Sequence, residues 1–494
     1  MPEIVMMLRA LPFALLLSTT AAATELPPEL TARIDASMAE WAKANHVPGL
    51  TWGIVHRGDG LVHGGVAGIA DVATGRAVAR DTRFRIASMT KAFTALTLFD
   101  LVAEGKVRLD DPVSKYVPEV TNWPYPITVA DLVHHRAGLV TDDPWGDRQT
   151  PLPEADFTAL LQAGVPFTRA PGLVHEYSNL GYALIGRIIK NVSGQAFEAE
   201  IARRRFQPLG MAATTFNLAT VPAGTLASGW RWEDGAWKRE PDMAPGTFGA
   251  MGGVITTGPD YAKWIDHLLS AWPAAAPGTA EPQARVTVRR LIDGGGSPRR
   301  MMRPTMAASS PCTVAIVYGA GLRVGDDCTL GRIATHGGGY PGYGSIMLIA
   351  PDRGWGVFVL TNRTYAGPSA PAWDALIAIA EAGLAPKDVL PLSPQLAGLA
   401  APMHAVLTSG DVTKAGLAVN FLMDRDAAHR RADIAEVLAK AGRCPKQPGV
   451  AADGALEGDF WWKCEKGMVA AHVLLAPTPT PQIQALDWRF EAKK

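Results

Sequence analysis

Two kinds of apolar pattern run through the chain, and their mixture sets the fold class. Residues 50–56 (Leu50-Thr51-Trp52-Gly53-Ile54-Val55-His56) form a short apolar run before a Gly/Asp turn, which predicts one strand and then a second. From 89 to 105, Phe93, Leu96, Leu101 and Val102 build an apolar helical face, and Gly105 stands where such a helix stops. Residues 180–193 read as another apolar-rich helix, closed near Gly194. Late in the chain, 315–318, 345–349 and 356–360 read as strands, the last two joined as a hairpin by Pro351-Asp352-Arg353-Gly354. This mixture predicts an α+β domain.

Near Pro386 the composition turns Pro-rich (PKDVLPLSP), so residues 386–395 are a candidate linker. Residues 396–494 read as a small C-terminal α+β module: a helical first half, then two or three strands around Trp461, Val469 and Leu474. Trp461 and Trp462 serve there either as packing residues or as a ligand-binding pair. The Ala/Pro-rich stretch 273–282 reads as a surface loop.

The first 23 residues change the setting of the main domain. Arg9, an apolar run from Ala10 to Leu17, and a small-residue stretch ending Ala21-Ala22-Ala23 have the layout of a signal peptide. Residues 24–385 are then the mature main domain, secreted or periplasmic. The apolar run is too short to span a bilayer comfortably, and no later run is long enough, so no membrane span remains after cleavage. In an exported chain the four cysteines are candidates for disulfides. Of three possible connectivities the local one is expected: Cys312–Cys328 around a predicted hairpin, and Cys444–Cys464. None has the C-x-x-C spacing of a redox or zinc motif. Lys+Arg and Asp+Glu balance at 47 each, which leaves no whole-chain field to attract nucleic acid or anionic membrane.

Three short motifs carry candidate chemistry. Ser88-Met89-Thr90-Lys91 is an S-x-x-K at the start of a predicted helix, and its spacing puts the amine one turn from the hydroxyl. A serine hydroxyl needs a base to become a nucleophile, and Lys91 can be that base if burial keeps it partly neutral. Tyr177-Ser178-Asn179 precedes the helix at 180–193; a phenol beside a lysine can shuttle protons, and an amide can hold a substrate carbonyl. His336-Gly337-Gly338-Gly339 lies ahead of the strand at 345–349, where glycines permit close backbone approach and free N–H groups for an oxyanion. The histidines at 134 and 135 have no metal-site spacing. Gly337, Gly339 and Gly342 match a dinucleotide fingerprint only formally, because a strand comes after them instead of a helix. A G-x-S-x-G elbow, which an α/β-hydrolase would need, is missing from the sequence.

In this order the three motifs resemble the signatures of the serine β-lactamase and D,D-peptidase superfamily. Phe84-Arg85-Ile86-Ala87, Leu109-Asp110-Asp111-Pro112-Val113, Pro208-Leu209-Gly210-Met211 and Gly252-Gly253-Val254 resemble it as well. The resemblance covers about residues 30–365 and leaves the C-terminal module out. It implies an antiparallel sheet flanked by helices, with an all-helical region beside it and the site at their junction. It further implies that Ser88 forms an acyl-enzyme, Lys91 deprotonates it, and Tyr177 acts as acid and base. Asn179, His336 and Gly338 would bind substrate, and the backbone N–H groups of Ser88 and Gly339 would form the oxyanion hole. Neither metal nor cofactor is implied, and the expected partner is a small molecule or peptide substrate. Many β-lactamases have lysine where this chain has His336. A largely neutral side chain there weakens recognition of a carboxylate, so the expected substrate is an ester or a D-amino-acid amide. A class C-type β-lactamase, a D,D-carboxypeptidase and a non-catalytic penicillin-binding receptor are the alternatives.

Overall fold

The computed structural model describes residues 24–276, 279–294, 298–306, 312–386, 388 and 390–493, so the expected signal peptide lies outside the described residues. Among those residues, nine strands make one antiparallel sheet: β1 (Gly49–His56), β2 (Gly60–Asp71), β3 (Arg76–Ala77), β4 (Arg299–Met302), β5 (Thr313–Tyr318), β6 (Arg323–Asp327), β7 (Gly331–Tyr340), β8 (Tyr343–Ala350) and β9 (Trp355–Thr361). Their order is β3-β2-β1-β9-β8-β7-β6-β5-β4. The first strand therefore pairs with the last, with Leu50 opposite Thr361. β8 and β9 are buried along their whole length, as their continuous apolar runs require when helices cover both sheet faces.

Helix α1 (Pro28–Ala44) covers one face; on the other lies α2 (Thr90–Ala103), with α3 (Asp143–Arg148), α4 (Asn179–Ser193) and α5 (Gly258–Leu269) on the same side. Helix α6 (Ser369–Glu381) joins α1, packing Trp373 and Leu376 beside Leu30, Ile34 and Trp41. Every residue of α2 from Thr90 to Phe99 is buried. A helix buried all round must find partners for its polar side chains. Thr94 donates to the carbonyl of Ala250 at 2.6 Å, and Thr90 Oγ1 accepts the N–H of Val254 at 3.2 Å. These contacts tie α2 to the glycine-rich turn at Gly249–Val254.

The expected helix at 89–105 is present but begins one turn differently. Ala87–Met89 form a 3₁₀ turn, the α-helix runs from Thr90 to Ala103, and Gly105 comes after its end at φ +71°. The predicted 351–354 hairpin is found, and both expected disulfides form. No strand was expected at His336-Gly337-Gly338-Gly339, which does precede the strand at 345 but is itself extended. It lies within β7, with Gly338 opposite Ser345 of β8.

Residues 396–490 close a hydrophobic cluster of their own. Helices α7 (Ala400–Ser409) and α8 (Ala427–Ala441) accompany a four-stranded antiparallel meander: β10 (Gly449–Ala452), β11 (Glu457–Lys463), β12 (Gly467–Leu475) and β13 (Ile483–Ala492). Two or three strands were expected, so this count is corrected. Trp462 is fully buried and stacks on Trp488, while Trp461 lies on the opposite face, where a Cβ at Gly449 would meet its indole at 2.1 Å. Alternation along one strand thus separates the two tryptophans. Before this module, Asp388 accepts a fork of two hydrogen bonds from Arg57, at 2.8 and 2.7 Å.

Candidate active site

The nucleophilic turn is held in an unusual backbone state. Ala87, just before Ser88, has φ +50°, a left-handed conformation that costs an alanine about 1 kcal/mol. Its surroundings impose it: the N–H of Ile86 donates to Val254, and its carbonyl accepts from Ser345 Oγ at 2.9 Å. Gly338 is the other half of this junction. A Cβ there would lie 2.2 Å from the carbonyl oxygen of Ile86 and from Ser345 Oγ, so only glycine lets β7 approach the turn this closely.

Lys91 Nζ donates to three acceptors: Ser88 Oγ at 3.0 Å, Asn179 Oδ1 at 2.7 Å and the Met251 carbonyl at 3.0 Å. It also lies 4.7 Å from the centre of the Tyr177 ring. The side chain is fully buried, and burial lowers its pKa to about 8, opposed by the carboxylates of Asp143, Asp147 and Asp142. Burial also drives the Tyr177 phenol well above its ordinary value, against a hydrogen bond with Ser88 that pulls it down. The phenol therefore stays protonated at neutral pH. An amine whose pKa is brought down to about 8 and a protonated phenol flank one hydroxyl. That set can take a proton from the hydroxyl and hand one to a departing group.

His336 is neutral, and its tautomer is fixed. Nδ1 lies 2.6 Å from the Gly337 carbonyl, which can only accept, so Nδ1 carries the proton and Nε2 accepts from Tyr318 Oη at 3.0 Å. Burial, with Arg323 and Lys91 nearby, holds its pKa well below 6.5. The pairing of β6 with β7 ends at Thr335, and the stretch from His336 to Tyr340 runs on past the nucleophilic turn, where Gly338 packs on Ile86.

The Beta-lactamase family model matches residues 30–382. The chain belongs to the beta-lactamase family. It is 25% identical over 394 residues to "Beta-lactamase" of Escherichia coli K12, covering 74% of this chain and 98% of that protein. To "Protein flp" of Staphylococcus aureus strain COL it is 26% identical over 341 residues, covering 67% of this chain and 62% of that protein. Among solved structures, the octameric penicillin-binding protein homologue from Pyrococcus abyssi has the same fold, with a TM-score of 0.58 and 20% identity over 93% of this chain and 98% of that one. This fold likeness extends past the end of the family match.

Within this beta-lactamase fold, the three residues expected to touch substrate are all buried and internally engaged. Asn179 is 0% exposed; its Oδ1 holds Lys91 and its Nδ2 donates to Asp143 at 3.0 Å. Both ring nitrogens of His336 are occupied, and Gly338 packs against Ile86. As placed, they frame the nucleophile. Gly339 is partly open, and the ring of Tyr365 would lie 2.7 Å from a Cβ there.

The structure adds residues that no motif pointed to. Asp142 accepts the N–H groups of Asn179 and Leu180 at 2.6 and 3.0 Å, fixing the start of α4. His135, at φ +52°, accepts the N–H of Ser178 and anchors the turn after Tyr177, a loop role in keeping with its lack of metal spacing. Asp147 accepts from Tyr365 Oη at 2.9 Å, and burial raises its pKa to about 7. In sequence Asp142, Asp143 and Asp147 look like part of a solvated DDPWGD run, which is why they carried no signal.

Proposed function

We propose that the protein is an exported serine hydrolase that works through an acyl-enzyme on esters or D-amino-acid amides. The observation that carries this reading is the 3.0 Å contact between Lys91 Nζ and Ser88 Oγ in a buried setting that lowers the pKa of the amine to about 8. Lys91 takes the proton as Ser88 Oγ attacks the substrate carbonyl. The negative charge that develops faces the backbone N–H groups of Ser88 and Gly339, beside the positive N-terminal end of α2. The bond to the leaving group breaks as Tyr177, which stays protonated, donates to the departing oxygen or nitrogen and is recharged by the Lys91 ammonium. Water then attacks the ester of Ser88, and the same groups move its proton in reverse. Two disulfides, Cys312–Cys328 and Cys444–Cys464, fit an oxidising compartment, and no described helix is long and apolar enough to cross a membrane.

Neutral His336 supplies no fixed cation for a β-lactam carboxylate. The expected result is ready turnover of a short-chain nitrophenyl ester and slow or absent turnover of nitrocefin, with a D-alanyl-D-alanine peptide as the third substrate. Steady-state rates for wild type and Ser88→Ala check this. Nitrocefin as by far the best substrate would overturn the assignment of substrate class.

A further inference from the structure

We propose that Asp143 recognises a positively charged α-ammonium on the acyl side of the substrate, which makes the substrate an aminoacyl ester or amide with a free amino terminus. This rests on the serine-hydrolase reading above and deepens it.

Both polar ends of Asn179, the side chain expected to read a neutral acyl amide, are already engaged. Its carbonyl oxygen is held by Lys91 and its amino group by Asp143. Beyond it stands a carboxylate. Asp143 lies at the end of three successive contacts from the nucleophile: 3.0 Å from Ser88 Oγ to Lys91 Nζ, 2.7 Å on to Asn179, and 3.0 Å on to Asp143 Oδ1. An α-ammonium is two bonds from the carbonyl carbon that Ser88 would attack, and with the acyl group expected on the Asn179 side of the nucleophile, Asp143 is the carboxylate next to Asn179 on that side.

Of the three acids here, Asp143 is the one open to solvent. Asp142 is buried and spends both oxygens on backbone N–H groups, and Asp147 is buried and accepts from Tyr365. Asp143 is half-buried, at the first turn of α3. No lysine or arginine among the described residues forms an ion pair with any of the three; Arg148, on the same helix, turns instead to Glu240. Lys91 is the cation enclosed with them, and Asp143 is the largest of their electrostatic effects on it. With Asp142 and Asp143 beside one lysine and Asp147 titrating near 7, acidic groups outnumber the enclosed cation, which disfavours an anionic acyl group and favours a cationic one. The exposed Arg323 lies on β6, two strands beyond β8 and opposite Tyr318, and its charge acts on Lys91, Tyr177 and His336 from that strand.

The test compares alanine p-nitroanilide, as both enantiomers, with its N-acetyl counterpart at pH 7, using wild type and Asp143→Asn. Asparagine keeps an oxygen for Asn179 Nδ2 and removes only the charge. The readout is the ratio of kcat/KM for free over acetylated substrate, in which any general loss cancels. Wild type is expected to prefer the free amine by about 10- to 100-fold, the weight of one charge-assisted hydrogen bond, and the variant to bring the ratio close to one. Equal or better turnover of the acetylated substrate by wild type overturns the proposal, as does an unchanged ratio in the variant. Turnover of neither anilide, by a protein whose Ser88 still takes up a fluorophosphonate, also overturns it while leaving the serine reading intact. Failure of that reading shows differently, as a Ser88→Ala protein that keeps its turnover.

Discussion

Ser88→Ala lowers kcat/KM for a short-chain nitrophenyl ester by on the order of 1000-fold or more, while the protein melts within a few degrees of wild type. The loss is large because the variant cannot form the covalent intermediate. Stability is kept because Lys91 retains Asn179 Oδ1 and the Met251 carbonyl as acceptors, and because the strained backbone at Ala87 is imposed by Ile86, Val254 and Ser345, not by the hydroxyl. Parallel ester kinetics and thermal melts check both halves. A tenfold drop accompanied by a falling melting temperature would mean that residue 88 matters for packing alone.

With Lys91 as base, kcat/KM rises with pH and levels off above about 8. The sign is set by the charge states: the ammonium has no lone pair to accept the Ser88 proton, so the neutral amine is the active form, and at pH 7 it is roughly a tenth of the total. Asp147, with a pKa of about 7, titrates close by, and its ionisation favours the ammonium, which broadens the rise. Asp147→Asn should therefore sharpen the limb and move it to lower pH. Lys91→Met should abolish the limb and reduce activity on the order of 1000-fold. His336 is held neutral by burial and adds no limb near 6.5. A profile that is flat from pH 6 to 9 would contradict the role of Lys91.

Much of this site is legible in the chain because its central parts are local. The S-x-x-K spacing and the apolar face of α2 fix the Ser88–Lys91 pair within one helical turn, and Ser178 caps α4 directly after Tyr177. Features that escape a linear reading depend on distant partners. The three glycines of His336-Gly337-Gly338-Gly339 have low strand propensity, yet pairing with β8 and close packing on Ile86 make them strand. Asp143 and Asn179 meet across 36 residues, and Tyr365 reaches Asp147 from 218 residues away. In the C-terminal module, β10 is a four-residue, Gly/Ala-containing edge strand, and β13 carries charged residues on its open face. Neither has the apolar run that marks β8 or β9.

Covalent capture of the acyl group is the most direct test of the account. Wild-type protein is mixed with a nitrophenyl ester, quenched in acid within milliseconds, and weighed intact before peptide mapping. The account predicts one added acyl group, on the peptide that contains Ser88 and on that residue. Steady hydrolysis with no adduct at any quench time, or an acyl group carried by a different residue, would contradict it.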